Sequence, residues 1–286
     1  MGMVSMENAA LVLEGGGMRG LYTVGVTDCL LEHGILIKDV YGVSAGACQG
    51  CNYLAGQVRR GERVWTGYLD DKRYCSVYSL IHTGDLFGAD MCYNIIPNQL
   101  DPYDYEAYRR NVGTFTIVVT NCLTGQAEYF TPKDLAGSME IVRASASLPL
   151  VSNMVMIGGV PYLDGGVADA IPLAKSISDG HGKNILVLTR QPGYRKEPDG
   201  AMKLYELKYR RYPALIEALK TRHERYNAAL DLIEAEENAG RALVIRPATK
   251  PDVGRVEKDA AKLHALRDEG YRQTEKMIEE IRDFLK

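Results

Sequence analysis

Apolar and polar positions along this chain alternate between two kinds of block. Short apolar runs bounded by turn residues recur at residues 9–13, 40–43, 114–120, 184–189 and 242–245, and each has the length and composition of a buried strand. Between them lie longer stretches with apolar positions three and four apart. Residues 19–33 put Leu21, Val24 and Leu31 on one helical face before Gly34 stops the pattern. Residues 45–60 read as a helix whose first half carries Ala45, Gly46, Ala47 and Gly50, small enough to lie close against a sheet. Strand then helix, twice over, predicts parallel β-α units with right-handed crossovers.

The middle of the chain is less regular. Residues 61–108 are tyrosine-rich and interrupted by Pro97 and Pro102, which predicts short helices and loops. The β-branched run at 114–120 has a hairpin partner at 126–130 across a turn at Thr124-Gly125. Ser138 is placed to cap a short helix over 138–144, which leads into Ala144-Ser145-Ala146-Ser147-Leu148-Pro149. Two short strands, 155–157 and 160–163, flank Gly158-Gly159, and the second ends in Asp164-Gly165-Gly166. Residues 202–238 are helical and charged, with Pro213 as a break, and residues 258–286 predict helices broken near Gly270. Leu263, Leu266, Ile278, Ile281 and Leu285 there face the main body. Between residues 203 and 225 seven Lys or Arg stand against three Glu, a basic excess that suits a solvated face or contact with anionic lipid headgroups.

Composition narrows the function classes. The 286 residues are 46% hydrophobic and 25% charged with a net charge of −3, so nothing argues for nucleic acid as a partner. No apolar run reaches the length of a membrane-spanning helix. The first seven residues lack both the basic start and apolar core of a signal peptide and the Ser or Thr at position 6 of a myristoylation pattern. The expected location is cytoplasmic, with peripheral contact at a membrane surface as an added option. The six cysteines, all in the first half, read as reduced thiols. Cys48 and Cys51 form a C-x-x-C, but without a second pair or a histidine cluster they suit buried packing better than redox or zinc chemistry.

Two stretches carry chemistry. Residues 11–20, Leu-Val-Leu-Glu-Gly-Gly-Gly-Met-Arg-Gly, form a strand ending in a glycine loop whose backbone N–H groups suit an anion. Gly42-Val43-Ser44-Ala45-Gly46 has the G-x-S-x-G spacing of a nucleophile elbow. A serine hydroxyl needs a base, and none of the five histidines, at 33, 82, 181, 223 and 264, stands in a context that marks it as one. Asp164 does, at a strand end followed by two glycines that permit a tight turn. The glycine loop and Ser44 end successive parallel strands and so face one crevice. Gly15, Gly17 and Gly20 also satisfy the dinucleotide fingerprint G-x-G-x-x-G, but the acidic residue that fold needs at the end of its second strand is replaced here by Gly42 and Ser44.

Gly15-Gly16-Gly17-Met18-Arg19-Gly20, Gly42-Val43-Ser44-Ala45-Gly46 and Asp164-Gly165-Gly166 occur in the order and approximate spacing of the patatin-like phospholipase family, with Ala144 to Pro149 as a fourth block. The resemblance covers about residues 11–189, and the C-terminal hundred residues look similar to those of bacterial members. It implies a three-layer α/β/α fold with a mainly parallel sheet. Residues 1–200 would form the catalytic domain, and 201–286 a helical extension with one added strand, packed on the same domain. It further implies a Ser-Asp dyad that cleaves fatty acyl esters through an acyl-enzyme: Ser44 as nucleophile, Asp164 as base, and an oxyanion hole from Gly15, Gly16, Gly17, Met18, Arg19 and Gly20 with the Ala45 N–H. Gly42, Gly46, Gly165 and Gly166 shape the elbow and turn. The implied partner is a lipid or acyl ester, with no metal and no organic cofactor. Acyl transfer, thioester hydrolysis and a non-catalytic lipid-binding module are the alternatives on the same residues. Lid formation by residues 61–108, the headgroup and the oligomeric state stay open.

Overall fold

The computed structural model describes residues 9–286; the N-terminal stretch read above for a leader and a lipid attachment pattern lies outside the described residues. Strand β1 (Ala9–Leu13) is buried throughout. Ala9, Leu11 and Leu13 join one apolar cluster while Ala10 and Val12 join another. A strand buried on both faces is the middle layer of three.

A short 3₁₀ turn, Gly17–Gly20, leads into α1 (Leu21–Glu32), then β2 (Asp39–Val43) and α2 (Ala45–Leu54). The second predicted helix does not run to residue 60. The chain leaves it at Leu54, passes through left-handed Gly56 and Arg59 (φ 66° and 61°), and restarts as α3 (Arg60–Thr66). The weakly patterned region holds α4 (Val77–Thr83), a wide π-type helix Met91–Leu100 with Pro97 inside it, and α5 (Tyr105–Arg110). The hairpin follows as β3 (Phe115–Asn121) and β4 (Ala127–Phe130), then α6 (Met139–Ser145). Ser138 sits at the start of α6 without a side-chain capping bond, so the helix is held by its buried face rather than by that hydroxyl. Strands β5 (Val155–Ile157) and β6 (Val160–Asp164), helix α7 (Leu173–Ser178) and β7 (Lys183–Val187) complete the central part. Helices α8 (Met202–Lys208), α9 (Pro213–Lys220, with Pro213 in its first turn) and α10 (Arg222–Asn238) precede β8 (Ala242–Ile245) and α11 (Ala260–Leu285).

Among the described residues eight strands form one mixed sheet. Pairs β1–β2, β1–β7, β2–β3 and β7–β8 are parallel; β3–β4, β3–β6 and β5–β6 are antiparallel. The register around β3 positions the site. Val118 has Val43 as one partner and Tyr129 as the other, while the next residue, Val119, has Asp164 and Glu128. With β4 on one side throughout, β6 takes up the edge of β3 that β2 leaves. The residue after Val43 therefore meets the end of β6 head on.

Helices α1 and α11 cover one face of the sheet, and α7 and α10 the other. The predicted break near Gly270 is absent: α11 runs 26 residues unbroken. A Cβ on Gly270 would lie 2.3 Å from the Tyr22 carbonyl oxygen, and one on Gly25 would lie 1.9 Å from that of Arg267. These glycines let two helix backbones touch, so Gly270 marks a close crossing rather than a stop.

Candidate active site

Ser44 follows β2 directly and stands at φ 55°, ψ −120°, a conformation L residues rarely adopt, before α2 begins at Ala45. Such strain persists only where neighbours hold it. The Ser44 N–H donates to Ser145 Oγ at 2.9 Å, and Ser145 Oγ donates to the Val118 carbonyl at 2.6 Å. Ser145 sits at the end of α6, in the small-residue run that the sequence singled out without assigning it a task.

Asp164 ends β6 and is 1% exposed. Its Oδ2 accepts the Ser44 hydroxyl at 2.6 Å, and its Oδ1 accepts the Gly166 N–H at 2.8 Å. Its own N–H donates to the Ser147 carbonyl at 2.8 Å, and its carbonyl accepts from Thr120 Oγ1 at 2.9 Å. Burial pushes the carboxyl above the ordinary carboxylate range, opposed by Arg222, by the Ser44 and Gly166 hydrogen bonds and by Arg255. Both oxygens are thus occupied by donors that fix the side chain, one of them the hydroxyl itself.

The glycine loop lies beside this pair. A Cβ on Gly15 would come within 2.9 Å of Ser44 Cβ, and Gly17 is left-handed at φ 58° against the Arg255 carbonyl. Both positions need glycine to bring the backbone this close. The six loop residues separate in role. Gly15, Gly16, Gly17 and Arg19 line a polar cleft with Ser44 and Asp164, whereas Met18 lines an apolar cavity. The Met18 N–H is engaged by the Arg255 carbonyl at 3.0 Å, and Gly20 packs on the Trp65 ring. Gly42 and Gly46 pack on α2 and on the Leu13 carbonyl, and Gly165 on the Val118 carbonyl.

Ser44 stands where two cavities meet. One is lined mainly by apolar groups of α2, α3 and the weakly patterned segment, among them Ala45, Cys48, Val64, Trp65, Phe87 and Pro97. Irregular periodicity at 61–108 has a physical cause here, since many of its apolar side chains face this cavity rather than a flat sheet. Burial pushes the Cys48 thiol up to about 12 and Cys51 to about 11, and Cys51 Sγ donates to the Cys48 carbonyl at 2.9 Å, as suits lining groups. The other cavity is the polar cleft. At its floor Glu14 is fully engaged: it accepts Tyr226 OH at 2.6 Å and the Thr189 N–H and hydroxyl at 2.6 and 3.1 Å.

Sequence reasoning missed Arg222 and Tyr226. Arg222 Nε donates to the Gly166 carbonyl at 2.5 Å, and Arg225 donates to the Val167 and Ala168 carbonyls at 3.1 Å each. The basic run suits a solvated or lipid-facing surface, yet Arg222 packs on the Asp164 turn and Arg225, though exposed, reaches the carbonyls just beyond it. No local signal marks them, because their partners lie 56 to 58 positions away. Among the described residues no group of three or more His, Cys, Asp or Glu side chains is arranged to hold a metal, and no helix is long and apolar enough to cross a membrane.

A mixed sheet between two helical layers, with a serine on its strand-to-helix elbow, defines an α/β/α protein of the patatin-like fold. A family model described as patatin-like phospholipase matches residues 11–175, and the chain belongs to that family. A second model, described as a domain of unknown function (DUF6363), matches residues 212–286. Among curated relatives, an uncharacterized protein YjjU of Escherichia coli is 28% identical over 187 residues, 64% of this chain and 52% of the relative. An uncharacterized NTE family protein of Mycobacterium tuberculosis is 28% identical over 173 residues, 59% and 46%. Lysophospholipase NTE1 of Debaryomyces hansenii is 28% identical over 191 residues, 62% of this chain and 11% of the relative. The chain spans about half the length of the first two. Among solved structures, VipD from Legionella pneumophila has a TM-score of 0.53 at 14% identity, covering 96% of this chain and 67% of that one, a likeness of fold.

Proposed function

We propose that this protein is a serine lipid acyl hydrolase working through a Ser44–Asp164 dyad. The observation that carries the reading is the 2.6 Å hydrogen bond from Ser44 Oγ to Asp164 Oδ2 at the junction of an apolar cavity and a glycine loop. Membership of the patatin-like phospholipase family supports lipid acyl esters as the substrate class. The relative named as a lysophospholipase adds single-chain lipids to that class.

In this mechanism the acyl chain occupies the apolar cavity and its carbonyl carbon lies against Ser44 Oγ. Asp164 takes the hydroxyl proton as Oγ attacks, and the carbonyl oxygen becomes an oxyanion facing the N–H groups of Gly15, Gly16 and Gly17 with that of Ala45. The Met18 N–H, already bonded to Arg255, stays out of this set. Collapse expels the alcohol, which takes the proton from Asp164, and leaves the acyl group on Ser44. Water then attacks with Asp164 as base, and the proton returns to Ser44 as the fatty acid leaves.

The test is labelling by a fluorophosphonate together with hydrolysis of a lipid panel read by mass spectrometry. Wild-type protein is expected to be labelled and to release fatty acid, while Ser44→Ala loses both and Asp164→Asn loses hydrolysis. Full activity in either variant overturns the dyad. Acyl products that appear only when an acceptor alcohol or thiol is added replace hydrolysis with transfer.

A further inference from the structure

The polar cleft beside Ser44 carries more positive charge than the proposed chemistry uses. Arg19, Arg190, Lys196, Arg222 and Arg255 line it, against the carboxylates of Glu14 and Asp164. Glu14 is held by Thr189 and Tyr226, and Asp164 by Ser44 and Gly166, so neither is drawn into an ion pair with the five cations among the described residues. Arg190 and Lys196 lie over the Tyr194 and Tyr226 rings at 4.5 and 4.7 Å. Arg19 is 6% exposed, and its buried Nε has no hydrogen-bond partner among the described residues. A buried guanidinium nitrogen without a partner is costly, and Arg19 lines the cleft.

The cations also act on one another. Burial first, then Arg190, depress the Arg19 guanidinium to about 10, while burial first, then Arg222, Arg255 and Arg190, depress the Lys196 ammonium to about 7. Five basic side chains against two carboxylates whose oxygens are already hydrogen-bonded leave an excess of positive charge, a site prepared for an anion. Guanidinium groups match phosphate oxygens in fork geometry. Ser44 lines both cavities, so an ester whose acyl chain fills the apolar one directs its alcohol portion into this cleft.

We propose that the cleft is the subsite for a phosphate-type anion on the alcohol portion of the substrate, so that the preferred substrate is an anionic acyl ester, such as an acylglycerol phosphate, over its neutral or zwitterionic counterpart. A quaternary ammonium tethered to the phosphate would bring a cation into the same field and lose much of the gain. Four of the five cations lie beyond residue 175, where the patatin-like match ends, and Arg222 and Arg255 lie within residues 212–286. The segment matching a domain of unknown function therefore supplies part of the subsite. The substrate half of this inference rests on the hydrolase reading above.

The experiment compares kcat/KM on acylglycerol phosphate, monoacylglycerol and acylglycerophosphocholine of one chain length, and measures inorganic phosphate binding to Ser44→Ala by calorimetry. Each charge-assisted contact is expected to favour the anion by about 10- to 100-fold. The preference should fall by about that factor in Arg255→Met, whose side chain is exposed, and in Lys196→Met. Phosphate should bind, and bind more weakly when either substitution is added to Ser44→Ala. Neutral ester cleaved as well as the anionic one, with no phosphate binding, overturns the inference and leaves the hydrolase standing. Phosphate binding without anionic preference assigns the cleft to free phosphate and overturns the substrate claim. If no ester is cleaved and Ser44 is not labelled, the hydrolase reading and the substrate claim fall together, and phosphate binding alone decides the anion site.

Discussion

The Ser44 N–H ends on the Ser145 hydroxyl, and that hydroxyl ends on the Val118 carbonyl, so the elbow, α6 and β3 are joined through one oxygen. Ser145→Ala leaves a buried donor and a buried acceptor unpaired, at about 1–3 kcal/mol for each group. The expected result is a lower unfolding temperature together with slower fluorophosphonate labelling and a kcat that falls more than KM changes. Unchanged labelling would show that Ser44 holds its strained backbone without this bridge.

Asp164 sets the acid limit of the proposed reaction. Its ionised form is the base, burial raises its pKa above the model-peptide value of 3.8, and Arg222 opposes that rise. On a neutral ester, kcat/KM should therefore rise with pH through a midpoint above 3.8, and Arg222→Met should move the midpoint higher still. The sign for stability is opposite. A carboxyl whose folded pKa is raised contributes stability below its unfolded pKa that is lost as pH rises through the folded value. Activity lost on acidification through this range should then coincide with an intact circular dichroism spectrum; coincident unfolding would defeat the assignment.

Arg267 pairs with Asp28 at 3.0 Å between α11 and α1, with side chains 5% and 0% exposed. Removing one member of a buried pair costs about 3–5 kcal/mol, whereas replacing both by apolar groups is often close to neutral. Arg267→Met should lower stability by about that amount in urea titration, and Arg267→Met with Asp28→Leu should recover part of it. Equal loss in both would mean that packing of the arginine stem, not charge, holds the crossing.

Gly25→Ala and Gly270→Ala test the same crossing by sterics. In an open helix the change from glycine to alanine stabilises by about 0.5–1 kcal/mol. Here the added methyl meets the facing carbonyl oxygen at 1.9 or 2.3 Å, and overpacking of this kind costs about 1–3 kcal/mol. Both variants are expected to melt below wild type. A higher melting temperature would show that the helices separate at no cost.

The parts of the molecule legible in the sequence are those whose cause is local. A serine between glycines after a strand, and an aspartate before two glycines, announce their own turns, and both were found where the pattern put them. Gly270 was misread because a glycine that ends a helix and one that admits a neighbouring backbone look alike until the neighbour, Tyr22, is known. Arg222 was misread because a basic run on a helix has the same composition whether it meets water or a buried turn. The break after Leu54 also escaped, since it depends on Arg59 adopting a left-handed conformation that its residue type does not announce.

The Met18 N–H bonded to the Arg255 carbonyl has a bearing on how the molecule comes into being. On a ribosome the glycine loop emerges ahead of residue 255 and waits for that partner, with α11 behind it to lock onto α1. Until residue 255 has followed, the nascent chain would carry Ser44 and the loop without this contact. The proposed oxyanion site would then take its final shape only after a segment distant in sequence has docked on it.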